Sequence, residues 1–376
     1  MINITAGIIA EFNPLHNGHQ HLITQAKAHS ESCVVVLSGN FTQRGSPAIV
    51  DKFTRSRMAL AAGADLVLEL PFLFACAAGQ DFAKGAVNLL ACSGFTDTIA
   101  FGMEAPEFDV MSLIHAEESE SFTRRLRLEL GRGASYPKAY ALALESVVHG
   151  AEDFISQPNN MLALSYVREI IRHNYNQKIL AVKREGDFSS RAIRENLHGN
   201  AEMMPEYSRK ILAEAEISDE SKLWPLLQNM FIRSKPQDLR NIYGIDEGIE
   251  GLFLKHWRDS QGLDDFIGRC VCARYTRSHI RRRLVYILLG LNRREVMEAL
   301  REGVPYARVL AFNEKGRKIL RKPSGIRVIT RLAEMRGNYF AEAERKASQL
   351  YELTLQNPDM NRESQKPVYN SLIPNH

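Results

Sequence analysis

The sequence lacks the marks of exported and membrane-bound proteins. Its N-terminus has no basic start, apolar stretch and small-residue cleavage site in succession, and no apolar run approaches the ~20 residues that span a bilayer. Cysteine is scarce and odd in number, and the one close pair has no second pair to complete a tetrahedral metal site. These absences predict a cytoplasmic protein with reduced thiols, no membrane contact and no dedicated metal site. The five cysteines are Cys33, Cys76, Cys92, Cys270 and Cys272.

Acidic residues are scarce in one segment. Residues 269–336 hold 18 Lys plus Arg against 5 Asp plus Glu, a balance of +13, although the whole chain carries only +4. The remainder therefore carries −9. The 376 residues are enough for two domains, of which one is strongly basic.

Short apolar runs alternate with helical periodicity through the first half of the chain. This alternation predicts a Rossmann-like α/β domain whose five parallel strands are joined by right-handed crossovers. We predict a catalytic domain at 1–200 with a helical insertion at about 105–155, a mostly helical basic domain at 201–340, and a C-terminal tail at 341–376. The predicted strands are 5–10, 33–37, 64–70, 96–101 and 178–183.

The first strand runs into a turn and a helix that contains two histidines around a glycine. His16 and His19 lie three residues apart across the helix start, so both imidazoles can donate hydrogen bonds to a phosphate on one side. Gly18 allows close backbone approach, and a helix N-terminus favours negative charge. The alternative is an ordinary helix start whose histidines only cap or pack.

A second polar group follows the fifth predicted strand. Ser189 and Ser190 open a helix, and Arg194 lies one turn later on the same side. Arg44 follows the second strand, where it can face a phosphate or a carboxylate or simply be an exposed loop residue. Gly102 ends the fourth strand and either leaves room for a purine or forms a plain turn.

These motifs together resemble the tRNA(Met) cytidine acetate ligase family, within the HIGH-motif nucleotidyltransferase superfamily. The likeness includes Gly-Ile-Ile-Ala-Glu-Phe-Asn-Pro-Leu-His-Asn-Gly-His from Gly7, Ser-Gly-Asn-Phe-Thr-Gln-Arg-Gly from Ser38, Phe-Gly-Met-Glu from Phe101 and Pro-Asn-Asn from Pro158. The resemblance implies an enzyme that joins acetate to ATP and then acetylates the wobble cytidine of elongator tRNA(Met) to N4-acetylcytidine. It also implies that magnesium is carried on the phosphates.

The resemblance assigns most residues of the first turn to ATP. His16 and His19 are expected to be catalytic, Ser189, Ser190 and Arg194 to hold the outer phosphates, and Ser38 and Arg44 to contact acetate. The implied ATP-binding residues are Gly7, Ile8, Ile9, Ala10, Glu11, Phe12, Asn13, Pro14, Leu15, His16, Asn17, Gly18, His19, Gln20, Gly102, Asn160 and Arg184.

The basic segment predicts contact with an anticodon arm, because clustered arginines bind phosphates and an interleaved tyrosine can stack on an unpaired base. A solvated helix face is the alternative interpretation. The residues concerned are Arg274, Tyr275, Arg277, Arg281, Arg282 and Arg283.

Two other functions fit parts of the sequence. A small-molecule adenylyltransferase of the pantetheine-phosphate type explains the first half and leaves the basic half without a role. A non-catalytic RNA-binding protein with a relict nucleotide fold explains the basic half alone. The sequence does not determine the oligomeric state.

Overall fold

A central β-sheet forms the framework of the protein, whose computed structural model describes residues 4–369. The five strands expected from the sequence are all present, and three more follow late in the chain. The strands are β1 (Thr5–Ala10), β2 (Ser32–Ser38), β3 (Leu66–Leu70), β4 (Thr98–Met103), β5 (Lys178–Lys183), β6 (Tyr306–Phe312), β7 (Arg327–Ile329) and β8 (Val368–Tyr369).

The strand order is β5-β4-β1-β2-β3-β6-β7, with β8 beside β6. The first five strands pair in parallel, so this part of the fold prediction is confirmed. The predicted total of five is wrong, because β6 pairs antiparallel with β3 and carries β7 and β8 in parallel. Arg308 interrupts the apolar run of β6, so the sequence of this strand resembles that of the helical segments around it.

Helices cover both faces of the sheet and form the insertion and much of the second half. They are α1 (Asn17–Ala28), α2 (Lys52–Ala61), α3 (Phe72–Ala75), α4 (Gly79–Ser93), α5 (Val110–Glu117), α6 (Glu120–Gly131), α7 (Tyr136–Glu145), α8 (Ala151–Ser156), α9 (Pro158–Arg172), α10 (Ser190–Glu195), α11 (Glu206–Ala213), α12 (Leu223–Arg233), α13 (Pro236–Arg240), α14 (Ile249–His256), α15 (Leu263–Cys270), α16 (Arg277–Leu289), α17 (Arg293–Glu302), α18 (Glu314–Ile319) and α19 (Tyr339–Glu352). Short 3₁₀ turns are Ala201–Met203, Glu220–Lys222, Trp257–Asp259, Leu332–Met335 and Arg362–Ser364.

Alternate residues of the central strands enter two separate hydrophobic cores. Val34 and Val36 pack on one face with α3, α4, α9, α16 and α19, whereas Val35 and Leu37 pack on the other with α1, α2 and α11. Both faces of β2 are buried, which is why it reads as a continuous apolar run without polar alternation. No helix within residues 4–369 is long and apolar enough to cross a bilayer.

The late part of the chain is built into the sheet. Strand β6 lies inside the segment predicted as a helical domain, and all of α19 except its first two residues lies in the segment predicted as a tail. Phe340, Ala347 and Tyr351 of α19 are buried in the larger core. The division of the chain at residues 200 and 340 remains a prediction, although one sheet draws strands from both sides of residue 200.

Candidate active site

A cavity of about 570 Å³ opens at the carboxyl edge of the parallel strands. We call it the edge cavity. Its wall comes from the turn after β1, the loop after β2, the starts of α4, α9 and α10, and the ends of β4 and β5. The sequence-predicted residues that line it are Ile9, Ala10, Glu11, Phe12, Asn13, His16, Gly18, His19, Arg44, Gly102, Arg184, Ser190 and Arg194.

The two histidines form a reciprocal cap at the start of α1. The backbone N–H of His19 donates to Nδ1 of His16 at 3.3 Å, and the backbone N–H of His16 donates to Nδ1 of His19 at 3.2 Å. The rings stack with centroids 3.6 Å apart. Because each Nδ1 accepts a hydrogen bond, the proton of each neutral ring lies on Nε2. Each imidazole thereby keeps an N–H donor on Nε2, and both residues line the edge cavity.

Both imidazoles are held neutral. Burial, assisted by the positive charge of Arg184, lowers the pKa of His16 to about 4. Enclosure in the cavity wall lowers the pKa of His19 well below its usual value, and His16 and Arg184 add to this effect. At neutral pH the pair therefore offers two hydrogen-bond donors without introducing charge into the cavity.

The turn after β1 is strained and firmly held. Phe12 has φ of 47°, a left-handed conformation that costs a non-glycine residue about 1–3 kcal/mol. Its buried ring meets the ring of His19 edge-on, with centroids 4.9 Å apart. The side chain of Asn13 accepts the backbone N–H of Ile49 at 2.7 Å. A strained backbone that positions a buried ring beside a cavity is typical of a functional site.

Arg55 joins the ends of the first two strands beneath the cavity. Its buried guanidinium donates to the carbonyls of Glu11, Ser38, Gly39 and Val50, at 2.5–3.0 Å. Backbone carbonyls at a strand end need such partners when they are buried. Arg55 therefore sets the geometry from which the turn after β1 departs.

The two predicted phosphate motifs meet in space. Arg194 of α10 donates to the carbonyl of Asn13, and the hydroxyl of Ser190 donates to the carbonyl of Pro14 at 3.2 Å. Phe188, just before α10, lies over His16 with centroids 6.3 Å apart. Gly18 packs closely here, because a Cβ would lie 3.1 Å from Cε1 of His16.

A carboxylate organises the opposite wall of the cavity. Glu104 accepts the side-chain N–H of Asn159 at 2.6 Å and the backbone N–H of Asn160 at 3.1 Å, and it lies 3.8 Å from Arg184. Asn160 in turn accepts the backbone N–H of Glu104 at 2.9 Å. These contacts fasten β4, β5 and α9 together beside Gly102.

The loop after β2 closes the remaining side. Glu11 accepts the backbone N–H of Gln43 at 2.7 Å, and burial raises the pKa of Glu11 against the opposing influence of Gln43 and nearby arginines. Arg44 is exposed toward the edge cavity. The site therefore combines a buried carboxyl group with an exposed guanidinium.

Several residues predicted as ligands lie behind the cavity wall. A Cβ on Gly7 would strike Leu90, the side chain of Asn17 donates to the carbonyl of Glu202, and that of Gln20 donates to the carbonyl of Ala62. Their contact with ATP stays a prediction. Ser189 caps α10 through the N–H of Ala192. Behind the wall with them are Ile8, Pro14, Leu15, Asn160 and Ser38.

Ser38 does not line the edge cavity, and its contact with acetate stays a prediction. Ser38 is fully buried at the end of β2, and its carbonyl is bound by Arg55 at 3.0 Å. Position at a strand end is visible in the sequence, but the side of the sheet to which the residue turns is not.

The predicted RNA-binding arginines are largely engaged by the protein itself. Arg281 pairs with Glu220 at 3.0 Å, Arg282 donates to the carbonyl of Gln43 at 3.0 Å, and Arg283 donates to the carbonyl of Gly244 at 3.1 Å. Arg274 and Arg277 are more exposed but face Glu247 and Asp264.

Tyr275 differs most from the expectation. Its side chain is only 6% exposed, and its hydroxyl donates to the carbonyl of Glu247. The ring is therefore not an open surface for a base. Composition alone could not show this, because the sequence does not distinguish a buried tyrosine from an exposed one.

Sequence reasoning also missed three supporting residues. Arg55, Gln43 and Glu104 hold the strand ends and loops in place. Gln43 and Glu104 lie inside the family motifs, which do not reveal this supporting role, and Arg55 lies in an ordinary stretch of sequence. The position of Glu104 just after Gly102 at a strand end is the one signal that could have marked it.

Comparisons with known proteins agree with this geometry. The model of the HIGH Nucleotidyl Transferase family matches residues 3–366. A tRNA(Met) cytidine acetate ligase of Clostridium perfringens is 33% identical, with 93% of this chain and 95% of that protein covered. The enzyme of that name from Caldicellulosiruptor saccharolyticus is 35% identical, with 93% of each chain covered.

Solved structures show the same fold. The crystal structure of Thermotoga maritima TmcAL bound with alpha-thio ATP has a TM-score of 0.87 and 27% identity, covering 97% of this chain and 99% of that one. The apo form of the same protein has a TM-score of 0.88 at the same identity and coverage.

Sheet, strand-end cavity and paired imidazoles together define a nucleotidyltransferase of the HIGH type. The similarity to curated relatives extends through the C-terminal strands and helices and is not confined to the nucleotide fold. The chain belongs to the tRNA(Met) cytidine acetate ligase family.

Proposed function

We propose that this protein is an ATP-dependent ligase that converts acetate to acetyl-adenylate and transfers the acetyl group to N4 of the wobble cytidine of elongator tRNA(Met). The observation that carries the chemistry is the stacked pair of neutral imidazoles, which line the edge cavity with both Nδ1 atoms occupied. Membership of the family supports the choice of substrates.

In the first step an acetate oxygen attacks the α-phosphorus of ATP. The bond from that phosphorus to the bridging oxygen breaks, and pyrophosphate leaves with the electron pair. Negative charge on the phosphates is met by Nε2–H of His16 and His19 and by the guanidinium of Arg194. We assign the base to the wall near Gly102 and Arg184, and acetate to the side of Arg44.

In the second step the exocyclic amine of cytidine attacks the acetyl carbonyl. The new C–N bond forms, AMP leaves with the electrons of the mixed anhydride bond, and the proton lost by the amine passes to water. The edge cavity is open to the loop side, where Arg44 is exposed, so an RNA base can approach the acyl group.

The side chains assigned to the phosphates are imidazole, hydroxyl and guanidinium groups, which suits magnesium held by the phosphate oxygens and not by a protein cage. Magnesium would neutralise phosphate charge there. Glu69, Glu344 and Glu363 come close together elsewhere, but the ammonium of Lys52 lies among them at 2.5–3.0 Å. A cytoplasmic location remains our prediction.

The test is to incubate the protein with labelled acetate, ATP, magnesium and total tRNA. We expect pyrophosphate release and label in N4-acetylcytidine of elongator tRNA(Met), with tRNA binding that weakens steeply as salt rises. Omission of ATP is the control. Label that stays out of every tRNA would refute the RNA-modifying function, even if pyrophosphate were released.

A further inference from the structure

A second pocket lies beside the edge cavity, against the helical insertion. It has a volume of about 290 Å³ and is enclosed by α5, α6 and α7 on one side and by α9 on the other. We call it the insertion pocket. It touches the edge cavity, because Gln80 and Ser165 line both. The proposed reaction by itself leaves the insertion without a role.

An exposed aromatic ring stands at this pocket. The side chain of Tyr136 is 59% exposed, whereas Tyr275 in the basic segment is 6% exposed. Tyr140 lies behind Tyr136, with the two rings roughly parallel and their centroids 6.1 Å apart. An unpaired base can stack on the outer face of such a pair, which the buried Tyr275 does not allow.

The floor of the pocket is rigid and polar. Arg168 donates through Nε to Glu117 at 3.0 Å and through Nη2 to the hydroxyl of Tyr140 at 3.0 Å, and Tyr140 also donates to Glu117. Arg172 stands at the rim with its side chain 63% exposed and pairs with Glu169 at 3.3 Å. The pocket therefore offers both donors and acceptors to the edge of a base.

The surface around the pocket suits a nucleic acid backbone. Helices α6 and α7, which both contribute residues to the pocket, and the turn between them carry exposed basic side chains that can attract phosphates, although Arg132 also pairs with Glu129. They are Arg124, Arg127, Arg132 and Lys138.

We infer that the insertion pocket binds an unpaired RNA base next to the reacting cytidine, stacked on Tyr136 and hydrogen-bonded by Arg172. The reacting amine itself must reach the acyl group beside His16 and His19, on the other side of Gln80 and Ser165. The occupant is therefore the neighbouring nucleotide of the same loop. This inference rests on the proposed function and makes the insertion a specificity element of the same site.

The test separates the two half-reactions. In Tyr136→Ala we expect acetate-dependent exchange of pyrophosphate into ATP to match that of the unaltered protein, because no residue of the edge cavity changes. We expect kcat/KM for tRNA acetylation to fall roughly 5- to 150-fold, mainly through KM, since one base–aromatic stack is lost. Tyr136→Phe, which keeps the ring, should restore most of the rate.

Two controls exclude an effect on folding or on the insertion as a whole. Leu128→Ala truncates an exposed side chain of α6 that is outside the pocket, and it should leave both half-reactions unchanged. Two further substrates are tRNAs in which either the 5′ or the 3′ neighbour of the cytidine lacks its base. The unaltered protein should acetylate one of these two RNAs more slowly than the intact tRNA. With that RNA, Tyr136→Ala should cause little further loss of rate.

The outcomes are distinguishable. Equal acetylation by Tyr136→Ala and the unaltered protein would overturn the inference, and so would a parallel loss of pyrophosphate exchange, which would indicate mere support of the ATP site. If the unaltered protein exchanged no pyrophosphate and acetylated no tRNA, the proposed function would fail first.

Discussion

At the scale of single residues, the proposed mechanism gives His16 and His19 two roles, as structural caps and as hydrogen-bond donors to phosphate. Each Nδ1 accepts a backbone N–H of the other residue, so the capping geometry itself orients Nε2–H. The hydrogen bonds alone fit histidines that only cap the helix. The donor role is supported by a second observation, which is that both residues line a cavity large enough for a nucleotide.

His16→Asn tests the donor role. Asparagine is a good N-cap, so the helix start should persist while the donor to phosphate is lost. We expect kcat for acetate-dependent pyrophosphate exchange to fall about 10²- to 10³-fold. His29→Asn, at the exposed far end of α1, is the control and should exchange normally. If pyrophosphate exchange were unchanged in His16→Asn, the imidazole of His16 would have no role in adenylation.

The same variant should change the pH dependence of stability. The pKa of His16 is about 4 in the fold against 6.5 in the free side chain, so the unfolded chain binds more protons between these values. The free energy of unfolding therefore decreases as pH falls from 6.5 toward 4, by about 2 kcal/mol at pH 5, because protonation favours the unfolded chain. Urea unfolding at pH 7 and pH 5 should show a smaller acid loss in His16→Asn. His29→Asn should behave like the unaltered protein, and an identical loss in all three would contradict the assignment.

At the scale of elements, the loop after β2 joins the edge cavity to α16. Gln43 bonds Glu11 on one side and Arg282 of α16 on the other. Gly45 has φ of 80° and packs so closely that a Cβ would lie 2.4 Å from the backbone nitrogen of Arg282. Helix α16 therefore directly supports the loop that lines the edge cavity.

Gly45→Ala and Gly133→Ala form a matched pair. Both glycines have φ near 80°, but a Cβ on Gly133 would meet no other atom within 4 Å. We expect Gly133→Ala to cost about 1–2 kcal/mol from backbone strain alone, and Gly45→Ala to cost about 1–3 kcal/mol more from the clash with α16. Urea unfolding measures both, and pyrophosphate exchange should fall only in Gly45→Ala. Equal destabilisation would show that α16 yields to the added methyl group.

At the scale of the whole molecule, a buried charge cluster fastens the end of the chain to the sheet. Lys52 of α2 lies 3.0 Å from Glu344 of α19 and 2.9 Å from Glu363, and Arg308 of β6 lies 2.9 Å from Glu69 of β3. Three carboxylates face two cations, so burial and the neighbouring Glu69 raise the pKa of Glu344. Elements distant in sequence are thereby held by one network.

Lys52→Met should therefore destabilise the entire fold. Removal of the ammonium leaves buried carboxylates uncompensated, for which we expect a loss of about 3–5 kcal/mol in urea unfolding. Lys210→Met breaks an exposed ion pair with Glu206, with side chains 72% and 71% exposed, and should leave the free energy of unfolding nearly unchanged, because solvent screens the pair. Similar small losses in both variants would show that water or a proton compensates the cluster.

Much of the fold and part of the site were predictable because they depend on local pattern. The run Thr5–Ala10, the glycine at position 18 and the serines at the start of α10 are local features, and they predicted a strand-end phosphate site whose two motifs the structure brings together. Strand β6 was not predictable in this way. It contains Arg308, which is tolerated inside the sheet only because Glu69 and Glu363 come from elsewhere in the chain.

The sequence by itself determined the five parallel strands, the turn with its paired histidines and the family of the protein, because each depends on short stretches of consecutive residues. Only the tertiary structure decided that Ser38 and Tyr275 face inward, that Arg55 joins two strand ends, and that the exposed ring beside the site is Tyr136. Which way a side chain turns, and whether a charge finds a partner, depends on segments far apart in the chain.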